Sequence, residues 1–284
     1  MNNGSRSMGT VGVVGLGVVG RTVADAMADS GVETVGYDSY LGIGAPHDLT
    51  GCELVFLCVS TMSSADGGLE HAEVWSAIET IEPHLDDGTV VAIKSTVAPG
   101  TSDLLGAKFP RLDVVSLPEF LVADRPRESF TNPHRIVIGT SSAPAAALLT
   151  ELLSRVAPTA PVVVVLPLEA ELIKLCSNAM LASKVTMANE LAGVCRRYGV
   201  AWSRVQGVVG LDTRIGSSHL TVTPEGGFGG ACLPKDLDGL IAAAEEAGYD
   251  AEFLRAIAAF NRRVRAANED LETAGALAGP DGLR

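Results

Sequence analysis

Lysine is scarce in these 284 residues, with five in all: Lys94, Lys108, Lys174, Lys184 and Lys235. Aromatic residues make up only 5%, so any core must be aliphatic. Positive charge is outnumbered, 21 Lys and Arg against 34 Asp and Glu, for a net charge of -13. A surface of that sign repels phosphate backbones and anionic headgroups, which excludes nucleic acid and membrane as main partners. No run is apolar and long enough to cross a bilayer. The leading MNNGSRSMG has no apolar stretch of the signal-peptide kind and reads as a flexible tail over 1–8, with Met8 as the effective start. Cysteine occurs five times, at Cys52, Cys58, Cys176, Cys195 and Cys232, with no CxxC and no Cys/His metal spacing. No metal is expected. Free thiols suit a reducing compartment, so the expected location is cytoplasmic.

What is present is apolar sequence in two patterns. Hydrophobic residues reach 47% against 19% charged, enough for real cores. Over the first half, short β-branched runs alternate with helical stretches. The runs are TVGVVG (10–15), ETVGYD (33–38), ELVFLCVS (53–60), TVVAIKST (89–96), LDVVSLPEF (112–120), RIVIG (135–139) and PVVVVL (161–166). The helical stretches cover 16–30, 69–85 with a late break at Pro83, and 144–155. Such alternation predicts an α/β fold, a Rossmann-like doubly wound parallel sheet covered on both faces. From Leu168 to Tyr198 there is no Pro, and Gly193 is the one Gly. That stretch predicts one long helix, apolar on more than one face and therefore buried on both sides. Shorter helices are expected at 202–209, 235–247 and 251–272. The expected organisation is a cofactor-binding sheet domain over 9–166, an all-α domain over 167–277 built on the long helix, and a second flexible tail over 278–284.

Gly15-Leu16-Gly17-Val18-Val19-Gly20 follows the first strand, opens a helix, and is followed by Asp38 at the end of the next strand. That context makes the glycine pattern a dinucleotide fingerprint. The glycines allow a tight turn and close approach to a pyrophosphate, and the helix N-terminus supplies free N–H groups. Asp38 is placed to accept from the adenosine ribose hydroxyls and would repel a 2′-phosphate, which favours NAD over NADP. In GGFGGACLPKDL (226–237), Cys232 stands just before Pro234 at the expected start of a helix, where the dipole stabilises a thiolate. Asp236 lies one turn on. Read alone, that stretch fits a buried small residue in a plain loop as well as it fits a reactive thiol. Lys174 and Asn178 are four apart on the long helix and share a face, a pair able to hold an oxyanion. Thr96 and Glu119 stand at the C-terminal ends of two strands, where ligands bind in open α/β sheets.

Taken together and in order, VGVVGLGVVG, VFLCVST, AIKSTVAPGT, PEFL, NPHRIVIG, AELIKLCSNAMLASK, NELAGVC, GLDTRIG and GGFGGACLPKD resemble the UDP-glucose/GDP-mannose dehydrogenase family over about residues 9–270. The resemblance implies NAD-dependent oxidation of a primary alcohol to a carboxylate in two hydride transfers through a thioester. It implies Cys232 as nucleophile and Lys174 with Asn178 as the oxyanion pair. It further implies Asp236 as holder of a catalytic water, Thr96 as its helper, and Glu119 in thioester hydrolysis. Gly15, Gly17, Val18, Val19, Gly20, Asp38, Val59, Ser60, Thr61, Thr96 and Lys235 would face the cofactor. Phe120, Leu121, Lys174, Asn178, Phe228, Gly229 and Cys232 would face the substrate. Arg214 would reach the substrate of a neighbouring subunit, so a homodimer through helix 168–198 is implied.

Four features depart from the family pattern. The sequence stops at residue 284, where the family continues into a nucleotide-binding domain. Only fourteen residues separate Asp38 from the next strand. Ala123 stands where a second glutamate is usual, and Met62 replaces a proline. The expectation is therefore a smaller or differently held sugar-like alcohol, or a partner protein that supplies the missing domain. The competing readings are a two-electron dehydrogenase of the 6-phosphogluconate or β-hydroxyacid type, and a non-catalytic NAD-binding partner.

Overall fold

The computed structural model describes residues 9–64 and 67–277, without the side chains of 268–277. The expected tails at 1–8 and 278–284 lie outside the described residues. The chain divides into two units. One runs to Ser64 and from Leu69 to Lys174, and the other holds the rest, from Leu175 onward together with Gly67 and Gly68.

In the first unit, strands and helices alternate: β1 (Val11–Val14), α1 (Val18–Asp29), β2 (Thr34–Tyr37), β3 (Leu54–Leu57), α2 (Ala72–Ile81), β4 (Val90–Ile93), α3 (Thr101–Lys108), β5 (Asp113–Ser116), α4 (Pro126–Thr131), β6 (Ile136–Gly139), α5 (Ala143–Val156) and β7 (Val162–Val165). The seven strands form one sheet in the order β2-β1-β3-β4-β5-β6-β7, parallel except where β5 meets β6. The fold is the expected α/β, Rossmann-like one.

Two cores follow from the period-2 alternation of side chains. Val11, Val13, Leu54, Phe56, Val90 and Ala92 point to one face, where Met27 of α1 and Leu149 and Leu152 of α5 cover them. Val14, Val55, Leu57, Val91 and Ile93 point to the other, against Ile78 and Ile81 of α2 and Leu105 of α3. A side chain as fully buried as Phe56 or Ile138 stabilises the fold by about 1.5–3 kcal/mol. Strands β1, β3, β4 and β6 are buried along their length, whereas the edge strands β2 and β7 are only partly covered.

Strand order reverses between β1 and β3, which puts the topological switch point beside the glycine motif. After β2 the chain makes one 3₁₀ turn, Pro46–Leu49, and returns directly to β3. The short segment after Asp38 thus leaves β2 as the sheet edge.

The long helix α6 runs from Pro167 to Arg197. The boundary between the two compact units falls inside this helix, after Lys174. Its first turns are fastened to the sheet: a Cβ on Gly139 would come within 2.5 Å of the Ala170 Cβ. Beyond that point Ala179, Ala182 and Val185 of α6 pack with Phe228, with Leu237 of α8 (Leu233–Glu246) and with Ile257 of α9 (Glu252–Leu277). Farther along, Ala188 and Ala192 pack on Trp202 of α7 (Trp202–Val209), whose indole N–H donates to the Leu220 carbonyl at 2.8 Å. The other side of α6 leaves Met180, Met187, Leu191 and Val194 exposed. Burial on both sides is therefore not met within one chain. Among the described residues, no helix is long and apolar enough to cross a membrane.

Candidate active site

In the first unit the glycine motif occupies the turn from β1 into α1. Gly15 has φ 84°, and a Cβ there would lie 2.8 Å from the Cys58 carbonyl oxygen. A Cβ on Gly20 would lie 1.8 Å from the Gly15 carbonyl oxygen, while the space beside Gly17 is open. The three glycines thus close the turn, seat the helix and leave room for a ligand's phosphates. Val18 and Val19 begin α1, Val18 exposed and Val19 packed toward the core.

Asp38 is buried and already engaged: Oδ2 accepts from the Leu16 N–H at 2.6 Å and Oδ1 from the Leu41 N–H at 2.9 Å. Burial pushes its pKa up, but the N–H groups of Leu16, Leu41 and Tyr40 and the charge of Arg21 outweigh that and hold it below the usual carboxylate value. A cavity of about 500 Å³ opens here, lined by Gly15, Gly17, Asp38, Tyr40, Val59, Ser60, Met62 and Glu73 among others. Tyr40 donates to Glu73 at 2.9 Å across its wall. Among the described residues, two carboxylates and no lysine or arginine line it. The residues present therefore fit an NAD molecule held by backbone N–H groups, and offer nothing to a 2′-phosphate. Thr61 follows Ser60 in the same loop.

At the C-terminal ends of β4 and β5 a second group forms. Lys174 is 5% exposed, and its Nζ donates to the Glu119 carbonyl at 2.7 Å and to Glu119 Oε1 at 3.1 Å. Glu119 Oε2 accepts from the Leu121 N–H at 2.5 Å. The Phe120 ring stacks under Arg135 at 4.1 Å and lies 5.5 Å from the Lys174 ammonium. Glu119 is thus committed to Lys174 and to its own loop. Thr96 sits half-buried in the loop after β4, and its neighbour Ser95 donates to the Val59 carbonyl at 2.6 Å, tying that loop to the cofactor cavity.

Glu171, which the motifs did not single out, braces the same region. Its carboxylate accepts from Gly100 N, Ser102 N and Ser102 Oγ at 2.6–2.8 Å, capping α3 from α6. Burial raises its pKa, and those bonds pull it part of the way back.

In the second unit the thiol occupies the expected place. Cys232 is exposed and is the N-cap residue of α8, and its carbonyl accepts the first helical bond from Asp236 N–H at 2.8 Å. Asp236 is 1% exposed. Its Oδ2 accepts from Asn178 Nδ2 at 2.5 Å. Its Oδ1 lies 2.8 Å from the Lys235 ammonium but accepts no well-directed hydrogen bond, which leaves an acceptor suited to a water. The structure thus brings Asn178, Lys235 and Asp236 together at the helix mouth that carries Cys232.

Two expected substrate contacts turn out differently. Phe228 is buried in the helical core, and Asn261 of α9 takes both its backbone groups, donating to its carbonyl at 2.8 Å and accepting from its N–H at 2.6 Å. Phe228 therefore anchors the loop and has nothing left for a substrate. The space beside Gly229 is filled by Arg265, whose Nη1 would lie 2.8 Å from an added Cβ. Arg214 belongs to neither group. It stands exposed in the loop after α7, bonded to both oxygens of Asp212 at 2.6–3.2 Å.

Comparison with known proteins agrees with this arrangement. Residues 44–157 match the NAD binding domain of the UDP-glucose/GDP-mannose dehydrogenase family, and residues 168–263 match its central domain. The chain is 36% identical to the UDP-glucose 6-dehydrogenase TuaD of Bacillus subtilis over 227 residues, 78% of this chain and 48% of the relative. It is 33% identical to the UDP-glucose 6-dehydrogenase AglM of Haloferax volcanii over 291 residues, 86% of this chain and 67% of the relative. The solved UDP-glucose dehydrogenase of Pyrobaculum islandicum superposes with a TM-score of 0.82 at 31% identity, covering 94% of this chain and 69% of that one. The chain spans about half the length of several bacterial relatives it matches.

Proposed function

The chain belongs to the UDP-glucose/GDP-mannose dehydrogenase family, and we propose that it is an NAD-dependent oxidoreductase that converts the primary alcohol of a sugar-like substrate to a carboxylate through a thioester on Cys232. One observation carries this reading. An exposed cysteine stands at the N-cap position of α8, and buried Asp236 in the first turn after it is bonded to Asn178 of α6 and paired with Lys235. A two-electron dehydrogenase has no use for that thiol.

NAD, when bound, supplies the hydride acceptor. The chain's own residues do the rest. The alcohol loses a hydride from carbon and a proton from oxygen, and the Lys174 ammonium and Asn178 amide stabilise the oxygen as its charge develops. The Cys232 thiolate adds to the aldehyde carbon, forming a C–S bond and preventing escape of the aldehyde. A second hydride leaves the resulting tetrahedral carbon, giving the thioester. Water, held at Asp236 with Thr96 as its helper, attacks the acyl carbon with Glu119 assisting. The C–S bond breaks, and the thiolate leaves with the helix dipole stabilising it. The balance is one alcohol, two NAD and one water to one carboxylate, two NADH and three protons.

The exposed apolar stripe on α6 supports the further reading that two copies pair along this helix, with Arg214 serving the partner's substrate. The substrate class is a nucleotide sugar or a smaller sugar-like alcohol, and in the second case no remote nucleotide anchors it. Stoichiometry tests the reading: two NADH per acid formed supports it, and one NADH with an aldehyde or ketone product refutes it.

A further inference from the structure

Lys94 is a buried cation that this reaction does not use. It directly follows β4, and only 5% of it is exposed. Among the described residues its ammonium donates to one protein group, the Leu117 carbonyl at 3.3 Å, across to the end of β5. It lies 5.6 Å from the centre of the Phe130 ring of α4. A cavity of about 40 Å³ opens beside it, lined in part by Lys94, Glu119, Phe120 and Arg135 and roomy enough for ordered water.

Burying an ammonium is costly unless an opposite charge or full hydrogen bonding offsets it. The one carboxylate in this neighbourhood, Glu119, is already paired with Lys174. Two buried ammonium groups thus share one carboxylate. A methionine would fill the same space among Phe130, Leu117 and Phe120 without that penalty, so the charge has work to do.

We propose that Lys94 is a positioning residue for the Glu119–Lys174 pair, holding the Leu117–Pro118–Glu119 bend by its carbonyl and standing behind the carboxylate as a second cation. The proposal rests on the thioester reading above for its kinetic consequences, but its structural claim does not. Facing Lys94 are Cys58 from the end of β3, Glu119 from the loop after β5, and Lys174 from α6. Burial holds the Lys94 amine below the ordinary lysine value. Cys58 and Glu119 pull it back up, and Lys174 pushes it further down. The same burial pushes the Cys58 thiol up to about 12.

With five lysines in the chain, the full-length protein labelled with [ε-13C]lysine gives a spectrum that can be titrated signal by signal, with Lys94→Met and Lys174→Met for assignment. One signal should titrate below the ordinary lysine value and vanish in Lys94→Met. In turnover, Lys94→Met should lower kcat about tenfold or more, leave KM for NAD within about twofold, and move the acidic limb of the pH–rate profile to higher pH. Lys94→Arg, which keeps the charge and a donor, should recover part of the rate. Lys108→Met, at the exposed end of α3, should change nothing. An ordinary titration for the signal that Lys94→Met removes, or a kcat and a pH profile untouched by Lys94→Met, would overturn the proposal. If Lys94→Met does not fold, the wild-type titration and the Lys94→Arg profile decide. Full acid production by Cys232→Ser would sink the thioester reading while leaving the lysine titrations to stand or fall by themselves.

Discussion

The two units build their parts of the machinery in opposite ways. In the sheet unit the backbone does most of it: strand ends, a glycine turn and N–H groups shape the cavity, and side chains such as Asp38 and Glu171 serve mainly to fix that backbone. In the helical unit the chemistry sits in side chains. A thiol stands at the mouth of the helix whose first turn carries Lys235 and Asp236, the latter bonded to Asn178, and the glycine loop before it is pinned by Asn261 and by Asn189, which accepts from Gly227 N–H at 3.0 Å. Glycine serves both units differently. In the first it removes a Cβ that would strike a carbonyl, as at Gly20. In the second it admits a clamp, since a Cβ on Gly227 would lie 2.3 Å from Asn261 Oδ1. Cofactor binding and thiol chemistry should therefore be separable by mutation.

The largest effect should come from Cys232→Ser, with acid formation falling by about 10³-fold or more while calorimetry shows an unchanged Kd for NAD. Loss of NAD binding in that variant would break the separation. Gly20→Ala should do the converse. A Cβ 1.8 Å from the Gly15 carbonyl oxygen forces the turn apart, and NAD should bind about 10–100-fold more weakly, with the overpacking costing about 1–3 kcal/mol. Its rate of Cys232 alkylation by iodoacetamide should match wild type.

A smaller effect is expected for Asn261→Ala, which leaves both backbone groups of Phe228 buried without partners. Chemical denaturation should show a loss of about 1–3 kcal/mol, and kcat should fall with KM for NAD unchanged. The smallest effect belongs to Asp38→Asn. The folded Asp38 has a depressed pKa, so its charge contributes stability that is complete above its ordinary value of 3.8 and is lost as pH falls through the lower folded value. The substitution should cost about 1 kcal/mol at neutral pH, measured by urea melts, and the gap between variant and wild type should close as the pH drops into the acid range.

Much of the fold was legible because local pattern and tertiary context agree. The β-branched runs became strands, Pro83 ended α2 in a 3₁₀ turn, and the stretch free of proline became α6. Helix α3 was not legible: Leu104 is exposed beside buried Leu105, so no apolar stripe marks it. Helix α4 is only six residues long. The antiparallel meeting of β5 and β6 rests on one residue pair, Ser116 with Gly139, which no local signal encodes. At the site, the motif spacing singled out Cys232, Asp236, Lys174 and Asn178 as candidates. It could not show that Phe228 is an anchor, nor find Lys94, Glu171 and Asn261, because each acts on a partner 23 to 71 positions away.

The thioester route requires a covalent acyl group on one thiol. Glu119→Gln, in which hydrolysis should be slowed, can be incubated with NAD and candidate sugar alcohols, quenched in acid and analysed by peptide mass spectrometry. The expected result is a substrate-derived acyl group on the peptide carrying Cys232, released by hydroxylamine and dependent on NAD. Acid product formed with two NADH while Cys232 stays unmodified, in a reaction that Cys232→Ser also completes, would contradict it.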